Sequence, residues 1–478
     1  MQVRISMAVA GCALSLCSIA RADDAISPAP QTSAPAQESC NAKRPVVMFN
    51  RWQEDWSVLK NPCVPREPLD GLKYIPLGSN PDTYLSLGAN LRERVEVSES
   101  PLFGLSPSAR SDTYLIQRAQ VSADARIDQN LQLFVQLEDA RPFDKDVVRS
   151  TDKNPLDLEQ AFAAWVSPLG PGTVKLRIGR QEMAFDLQRF ISVRDGPNVR
   201  QAYDAVWADY EYEKWRFIGY ATRPVQYRDI SAFDDTSNRH LTFSGVRFER
   251  QGVGPGDLSG YYSLYTRAGA QFLDAQGDEH RNVFDLRYTG KMAAADYDVE
   301  SMYQTGHVGD KTIAAWAVGS LFGCTLASPW TPRLGLQVDA ASGDRHPGDG
   351  RIGTFNPLFP NGYYFTLAGY TGYANLIHVK PSFTLKPSSK LTLLFAVAFQ
   401  WRMTVNDAIY QQGSAVVPGT AGRGTRWTGS YAQIRADWTA APNLIASVEA
   451  VHFKVGDSIR DLGGSDSDYV GLEVKYGW

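Results

Sequence analysis

Apart from one short apolar run at its start, the 478-residue chain has no stretch near the ~20 continuous apolar residues of a membrane helix, which argues against an inner-membrane protein. It also lacks a sustained 3.6-residue period long enough for a major helix. Charge of one sign is missing: the formal net charge is -4, which excludes a strongly basic nucleic-acid binder. Histidine is scarce, with His240, His280, His307, His346, His378 and His452 accounting for all six. No Gly-x-Ser-x-Gly elbow and no His-x-x-x-His pair accompanies them, so neither hydrolase nor metal-site signature is present. Cysteine is equally thin. Cys12 and Cys17 fall in the opening run, which leaves Cys40, Cys63 and Cys324.

That opening run reads as an export signal. Arg4 precedes an apolar stretch from Ile5 to Ala20, and the small-residue site Ala20-Arg21-Ala22 predicts cleavage before Asp23. Residues 1–22 are therefore expected to be a signal peptide. Val9-Ala10-Gly11-Cys12 imitates a lipoprotein site but lies inside the apolar run. In an oxidising compartment Cys40 and Cys63, which flank a short polar segment, are either a disulfide or two separate thiols. Cys324 sits in a Gly-rich apolar strand as a small core residue. Residues 23–45 are rich in Pro, Ala, Ser and Gln, a composition that buries no core. The rest of 23–81 carries Phe49, Trp52 and Trp56 among several prolines and reads as a loosely ordered lead-in, in or beneath the mouth of the domain that follows.

From Asp82 to Trp478 the pattern is alternation. Leu85, Leu87, Ala89, Leu91 and Val95 oppose Ser86, Asn90, Arg92, Arg94 and Glu96. Leu131, Leu133, Val135 and Leu137 oppose Gln132, Gln136 and Glu138, with Phe134 breaking the polar side. At the end Val470, Leu472, Val474, Tyr476 and Trp478 share one parity, and Gly471, Glu473, Lys475 and Gly477 the other. The chain holds 40 Gly, 22 Tyr, 21 Phe and 11 Trp, yet its mean hydropathy is only -0.29. A polar-lined barrel accounts for both facts, because its lipid face occupies every second residue. Spans of about ten residues separated by turn residues predict an all-β, transmembrane antiparallel up-and-down barrel of about 18 strands over 82–478. A soluble sandwich or propeller would also give many short strands; the export signal and terminal aromatic strand favour the barrel.

The inner parity is charged. Arg92, Arg94, Arg118, Arg126, Arg177, Arg287, Arg333, Lys380, Arg402 and Arg435 fall on it, beside Glu138, Glu159, Asp209, Asp285, Glu300, Asp339 and Asp437. Arginine outnumbers lysine by 34 to 14, and guanidinium forks suit carboxylates and anionic solutes. Such a lining acts as a selectivity surface, or as ladders of ion pairs that brace the wall. The segment Ser342–Tyr373 is too long for a tight turn and is expected to be an extracellular or inward plug loop carrying Asp344, Asp349, Phe355, Asn356 and Pro357. No complete metal-loop pattern follows Asp344 and Asp349. No cofactor, metal site or catalytic residue is assigned.

Four stretches together resemble the alginate-export family of outer-membrane proteins. They are Leu176-Arg177-Ile178-Gly179-Arg180-Gln181-Glu182; Val193-Arg194-Asp195-Gly196-Pro197-Asn198-Val199-Arg200 with Ala202-Tyr203-Asp204; Thr354-Phe355-Asn356-Pro357-Leu358-Phe359-Pro360-Asn361-Gly362-Tyr363-Tyr364-Phe365; and the run from Asn375 through Pro387 to Phe399-Gln400-Trp401-Arg402 and Asp407-Ala408-Ile409-Tyr410. The resemblance covers roughly 82–478. It implies an 18-stranded barrel in the outer membrane of a Gram-negative bacterium, with an arginine-lined constriction that passes anionic polysaccharide outward. Carried onto this chain, it makes Arg177 and Arg180 the leading pore-lining residues, with Arg92, Arg94, Arg402 and Arg435 secondary. Arg177 and Arg180 have opposite parity, so both face inward only if the strand bends at Gly179. Where the pattern leads one to expect a Gly in the next turn, this chain has Phe185-Asp186.

An outer-membrane barrel enzyme is the rival of a different class. A diffusion porin for small anions or sugars shares the barrel and differs in constriction and plugging loops. The expected partners are outer-membrane lipids, the barrel-assembly machinery, anionic polysaccharide or small anionic solutes, and periplasmic scaffold proteins if the chain exports polymer.

Overall fold

The computed structural model describes residues 44–48, 50–105 and 111–478. The expected signal peptide, Cys40 and Phe49 lie outside the described residues. Eighteen long strands form one sheet. They are β1 Tyr84–Glu99, β2 Asp112–Ile127, β3 Leu131–Phe143, β4 Asn154–Leu169, β5 Gly172–Glu182 and β6 Ala202–Tyr212. There follow β7 Trp215–Gln226, β8 Leu241–Val253, β9 Gly256–Gln271, β10 Gln276–Met292, β11 Ala295–Val308 and β12 Lys311–Thr325. The last six are β13 Arg333–Ala341, β14 Leu376–Ser388, β15 Leu391–Trp401, β16 Trp427–Ala441, β17 Leu444–Val455 and β18 Ser467–Gly477.

Each strand pairs antiparallel with its neighbours in sequence, and β1 pairs with β18 from Asn90↔Gly477 to Glu99↔Asp468. The sheet has no free edge. In lipid an unpaired backbone group costs several kcal/mol, so closure is what makes the strands tenable there. Most connections sort by end: 128–130, 170–171, 213–214, 254–255, 293–294, 389–390 and 442–443 are short and 326–332 somewhat longer, whereas 183–201, 227–240, 342–375 and 402–426 at the other end are long, with 272–275 and 309–310 as short exceptions there. Short turns mark the periplasmic side and long loops the extracellular side.

Alternation decides what each face meets. On β18, Val470, Leu472, Val474 and Tyr476 are exposed while Glu473 is buried. On β1, Leu91, Val95 and Val97 face out, and Arg92, Arg94 and Glu96 face in. Exposed Trp165, Trp215, Trp438 and Tyr476 lie at or near short-turn ends of their strands, as an interfacial aromatic girdle requires.

The interior is filled from both ends. From the extracellular side the loops 183–201 and 342–375 bring Phe190, Ile191, Phe355, Phe359, Tyr364, Phe365 and Tyr373 into a cluster with inward residues of the wall, including Tyr203 and Phe243. From the periplasmic side enters the lead-in, with short helical turns at Arg51–Gln53, Ser57–Lys60 and α1 Asp70–Lys73. Its Trp52 ring packs edge-on against Phe162, 5.9 Å between centroids, and Phe134 completes the seat. Phe134, the residue that interrupts the polar side of β3, is therefore part of a socket. Cys63, in this segment, is disulfide-bonded. Cys324 is buried in β12.

Candidate functional site

The inward loops and the charged wall form one network. Loop 183–201 is locked to loop 342–375 by backbone contacts: an isolated parallel bridge joins Ile191 and Phe359, and the Phe359 N–H donates to the Phe190 carbonyl at 2.9 Å. The Ser192 hydroxyl donates to the Phe359 carbonyl at 2.8 Å. Gly196 and Gly362 pass so closely that a Cβ on Gly196 would sit 3.0 Å from the Gly362 Cα, so larger residues would push the loops apart.

The wall grips loop 183–201 through its carbonyls and through Asp195. Arg92 donates to the carbonyls of Asp195 (2.6 Å) and Pro197 (2.9 Å) and to Asn198 Oδ1 (2.8 Å). Arg94 donates to the Gly196 carbonyl at 2.7 Å and pairs with Glu96 at 2.5 Å and Glu473 at 3.2 Å. Asp195 accepts from Arg118 and, at 3.1 Å, from Lys475. Burial would raise the Asp195 carboxyl, but Lys475, Arg118, Arg200 and Arg92 hold it well below the usual carboxylate range. The neighbouring position Asp186 repeats the arrangement. It takes a left-handed backbone (φ 52) and accepts from Arg247 at 2.7 and 2.8 Å and from Arg287 at 2.7 Å. Phe185 beside it packs on Trp207, Tyr220 and Tyr261. The Phe185-Asp186 departure thus gives the turn a carboxylate anchor and an apolar one.

Arg177 faces inward, as do Lys175 and Gln181, but no solvent reaches it freely. Its guanidinium lies 4.5 Å from the Trp52 ring centroid, with Phe162 at 5.4 Å and Trp207 at 5.5 Å. It is one of the wall's contacts with the lead-in, beside Arg126 and Gln132, which both donate to the Trp52 carbonyl. Arg180 has a different neighbourhood from the expected lumen wall. Gly179 does adopt φ +127, and a Cβ there would meet the Ala161 carbonyl at 2.3 Å. The β5–β6 register nevertheless continues unbroken through Arg180↔Asp204. Arg180 therefore keeps the parity of the exposed Ile178 and pairs across the strands with Asp204 at 2.9 Å. Asp204 also accepts from Ser237 of loop 227–240.

The secondary arginines divide. Arg402, just past β15, donates to the carbonyls of Thr425 (2.9 Å), Asp407 (3.2 Å) and Val405 (3.3 Å), and also to Thr420 and Arg423. It organises loop 402–426 and does not line a passage. Arg435 pairs with Asp437 at 2.7 Å and Glu449 at 3.0 Å and keeps part of its side chain exposed. Lys475, which alternation places on the inner face of β18 and which no motif marks, likewise pairs with Asp195 at 3.1 Å and Glu473 at 3.2 Å and keeps part of its side chain exposed. The Tyr363 ring lies 5.8 Å from the Arg435 guanidinium and 5.6 Å from the Lys475 ammonium.

In the 342–375 loop, Phe355 packs on Phe190 at 5.4 Å between centroids. Asn356 exchanges hydrogen bonds with Gln304, donating at 3.1 Å and accepting at 2.6 Å. Pro357 borders a small cavity of about 20 Å³ with Arg189 and Tyr364. Asp344 accepts from the His346 N–H at 3.0 Å and Asp349 from the Arg351 N–H at 2.7 Å, so both serve their own loop.

No curated protein sequence matches the chain. Among solved structures, OccK2 (OpdF) of Pseudomonas aeruginosa, crystallised with glucuronate, superposes with a TM-score of 0.54 at 12% identity, over 82% of this chain and 97% of that one. OccAB4 of Acinetobacter baumannii gives 0.55 at 9% identity, again over 82% and 97%. OccD3 (OpdP) of P. aeruginosa gives 0.54 at 10%, over 87% and 95%. At these identities the likeness is one of fold. The alginate export family model matches residues 83–473, from the first barrel strand to the middle of the last. This outer-membrane β-barrel channel belongs to the alginate export family.

Proposed function

We propose that the channel passes an anionic, uronate-type polysaccharide outward, and that Arg435, Tyr363 and Lys475 form the part of the lumen that the solute touches. The observation that carries this reading is the position of the Tyr363 ring, within 6 Å of two cations that remain partly exposed while Arg92, Arg94 and Arg118 are buried against loop 183–201. A pyranose ring covers an aromatic face, and its carboxylate accepts from a guanidinium or ammonium. Fixed carboxylates at Asp437, Glu449, Glu473 and Asp195 keep each cation paired until a passing anion replaces them, which favours transit over retention.

The chemistry is passage, with no bond made or broken. His378 meets Asp339 at 3.1 Å through Nδ1 and the Tyr431 hydroxyl at 3.0 Å through Nε2, and both His378 and Tyr431 are buried away from any solute. A second reading, a porin for small anions, is favoured by the bridge between the inward loops, since a lumen crossed by two locked loops suits small solutes. Single-channel recording in planar bilayers tests both. Export of polymer requires anion preference in asymmetric salt and block by oligouronates at micromolar to millimolar levels. Replacing Arg435 and Lys475 together by Ser should shift the reversal potential toward cations and weaken block several-fold. Unchanged preference overturns the assignment. Block by monomeric uronate alone favours the porin.

A further inference from the structure

The outer wall over five successive strands carries two rows of side chains in register. Val246 of β8 pairs with Tyr262 of β9, which pairs with Phe284 of β10, then Tyr303 of β11 and Trp316 of β12. All five are exposed, on the face that alternation turns toward lipid. Four residues nearer the extracellular end of each strand lies the second row: Thr242, Thr266, His280, His307 and Thr312, again paired one to the next. It continues onto the two-residue strand Arg351–Ile352, where Arg351 pairs with Thr312 in parallel. Ile313 and Ile352, the next pair, are buried, so Arg351 lies outward with Thr312. Along a strand of about 3.4 Å per residue tilted by about 40°, the four-residue step lifts the second row ~10 Å beyond the first. Aromatic girdles sit at the acyl boundary, and the second row therefore falls among the outer-leaflet headgroups.

Its side chains suit one kind of headgroup. The His280 and His307 rings lie side by side, 4.9 Å between centroids. Among the described residues, ion pairs tie only His378 and His452 of the six histidines. The Thr242 and Thr266 hydroxyls meet at 2.7 Å. The Thr312 N–H and hydroxyl both donate to the Gly350 carbonyl, at 2.9 and 3.2 Å, which fixes Arg351 beside the imidazoles. Of the acids around the row, Asp274 is neutralised by Lys311, while Asp278 and Asp349 accept from backbone N–H groups. Asp310 lies in the exposed turn 309–310. Two imidazoles and a guanidinium on one line, with no acid among them, are donors matched to phosphate oxygens. The barrel itself does not demand such a row: the extracellular ends of β14, β15 and β16 pair Ile377, Trp401 and Trp427 instead.

We propose that the outer wall over β8–β12 holds a phosphorylated glycolipid of the outer leaflet. Its acyl chains lie along Tyr262, Phe284, Tyr303 and Trp316, and a sugar-linked phosphate sits between His280, His307 and Arg351. From Thr242 to Thr312 the row runs ~19 Å, at about 4.8 Å per strand. That breadth suits a multiply acylated disaccharide of the lipid A type better than the narrow headgroup of a phospholipid. Arg351 belongs to loop 342–375, so the bound lipid bears on the same loop that fills the lumen, independently of what the channel carries.

The test uses the folded full-length protein in detergent with EDTA throughout. Freed of lipid, it is given bis-phosphorylated lipid A, the dephosphorylated form or phosphatidylglycerol, and retained lipid is read by native mass spectrometry. The expected result is a single retained bis-phosphorylated lipid A per barrel and about tenfold less of the other two. His280→Gln together with His307→Gln should cut retention about tenfold, and Arg351→Gln several-fold, while heat-modifiable gel mobility stays that of a folded barrel. His452→Gln, an exposed histidine of β17 tied to Asp468, should leave retention unaltered. Undiminished retention by the double variant, or equal retention of dephosphorylated lipid A by the parent, overturns the site. Retention that fails in EDTA and returns with added Mg²⁺ overturns direct recognition by these side chains. Equal retention of phosphatidylglycerol overturns the assignment to a glycolipid.

Discussion

Arg177 spends its charge on aromatic faces. With Trp52 at 4.5 Å, its guanidinium is shielded by the lead-in rather than offered to a solute. Cation–π contacts of this kind contribute about 0.5–2 kcal/mol each. Trp52→Ala should therefore loosen the lead-in and uncover Arg177, raising both conductance and anion preference in bilayer recordings. Arg177→Ser should raise conductance without the gain in selectivity. Arg402 invites a different expectation. Hydrogen bonds from a charged donor are worth about 1.5–3 kcal/mol, and Arg402→Met leaves several carbonyls of loop 402–426 unserved. Faster proteolysis of that loop, with an intact barrel on gels, is the expected outcome. Parity alone put Arg177 inside, because Leu176 and Ile178 read as lipid-facing. It could not supply Trp52, which approaches from a segment without periodicity. Parity also misread Arg402, which has left the strand by the time its side chain chooses partners.

Strands and loops differ in how far their sequences speak. A strand between lipid and lumen must alternate, so Val470 to Tyr476 announce both its existence and its faces. A loop obeys no period, and only single residues give it away. Phe185-Asp186 and the Phe-Asn-Pro run mark anchors whose partners, Arg247 and Gln304, come from distant strands. Loop 227–240 left no such sign: Asp234-Asp235 is an ordinary surface dipeptide until Asn154 and Asp157 are folded beside it. Its chemistry carries a pH dependence. Burial and the neighbouring Asp157 raise the Asp235 carboxyl from 3.8 to about 6, against the opposing Arg228 N–H, the Asn154 amide and the charge of Arg180. A carboxyl raised by folding takes up a proton as the loop docks. Its contribution is therefore greatest below the ordinary value and falls as pH rises through about 6. Hydrogen-exchange protection in 227–240, after division by the intrinsic rate at each pH, should be lower at pH 7.5 than at pH 5.

For the molecule as a whole, closure governs everything else. The β1–β18 pairing is extended at its periplasmic end by reciprocal backbone bonds between Ala89 and Trp478, at 2.7 and 2.8 Å. Deleting Tyr476–Trp478 should lower the folded fraction in membranes severely, read as loss of the heat-modifiable band, because freed strand groups in lipid cost several kcal/mol apiece. The strand number was legible because alternation and turn residues together count it. The filling of the lumen was legible only as long loops and an aromatic lead-in, since what fills a barrel depends on meetings between residues hundreds of positions apart.

One of those meetings has a temporal meaning. Arg51 donates to the Trp478 carbonyl, and Lys73 caps the Trp478 ring at 4.6 Å while donating to the Leu87 carbonyl of β1 at 2.8 Å. The lead-in is synthesised before any strand, yet its berth is built jointly by the first strand and the last. It can moor only after the hoop is joined, so an unfinished barrel stays unstoppered and a finished one seals itself. The earliest part of the ordered chain is thereby the last to find its place, a latch that drops when assembly is done.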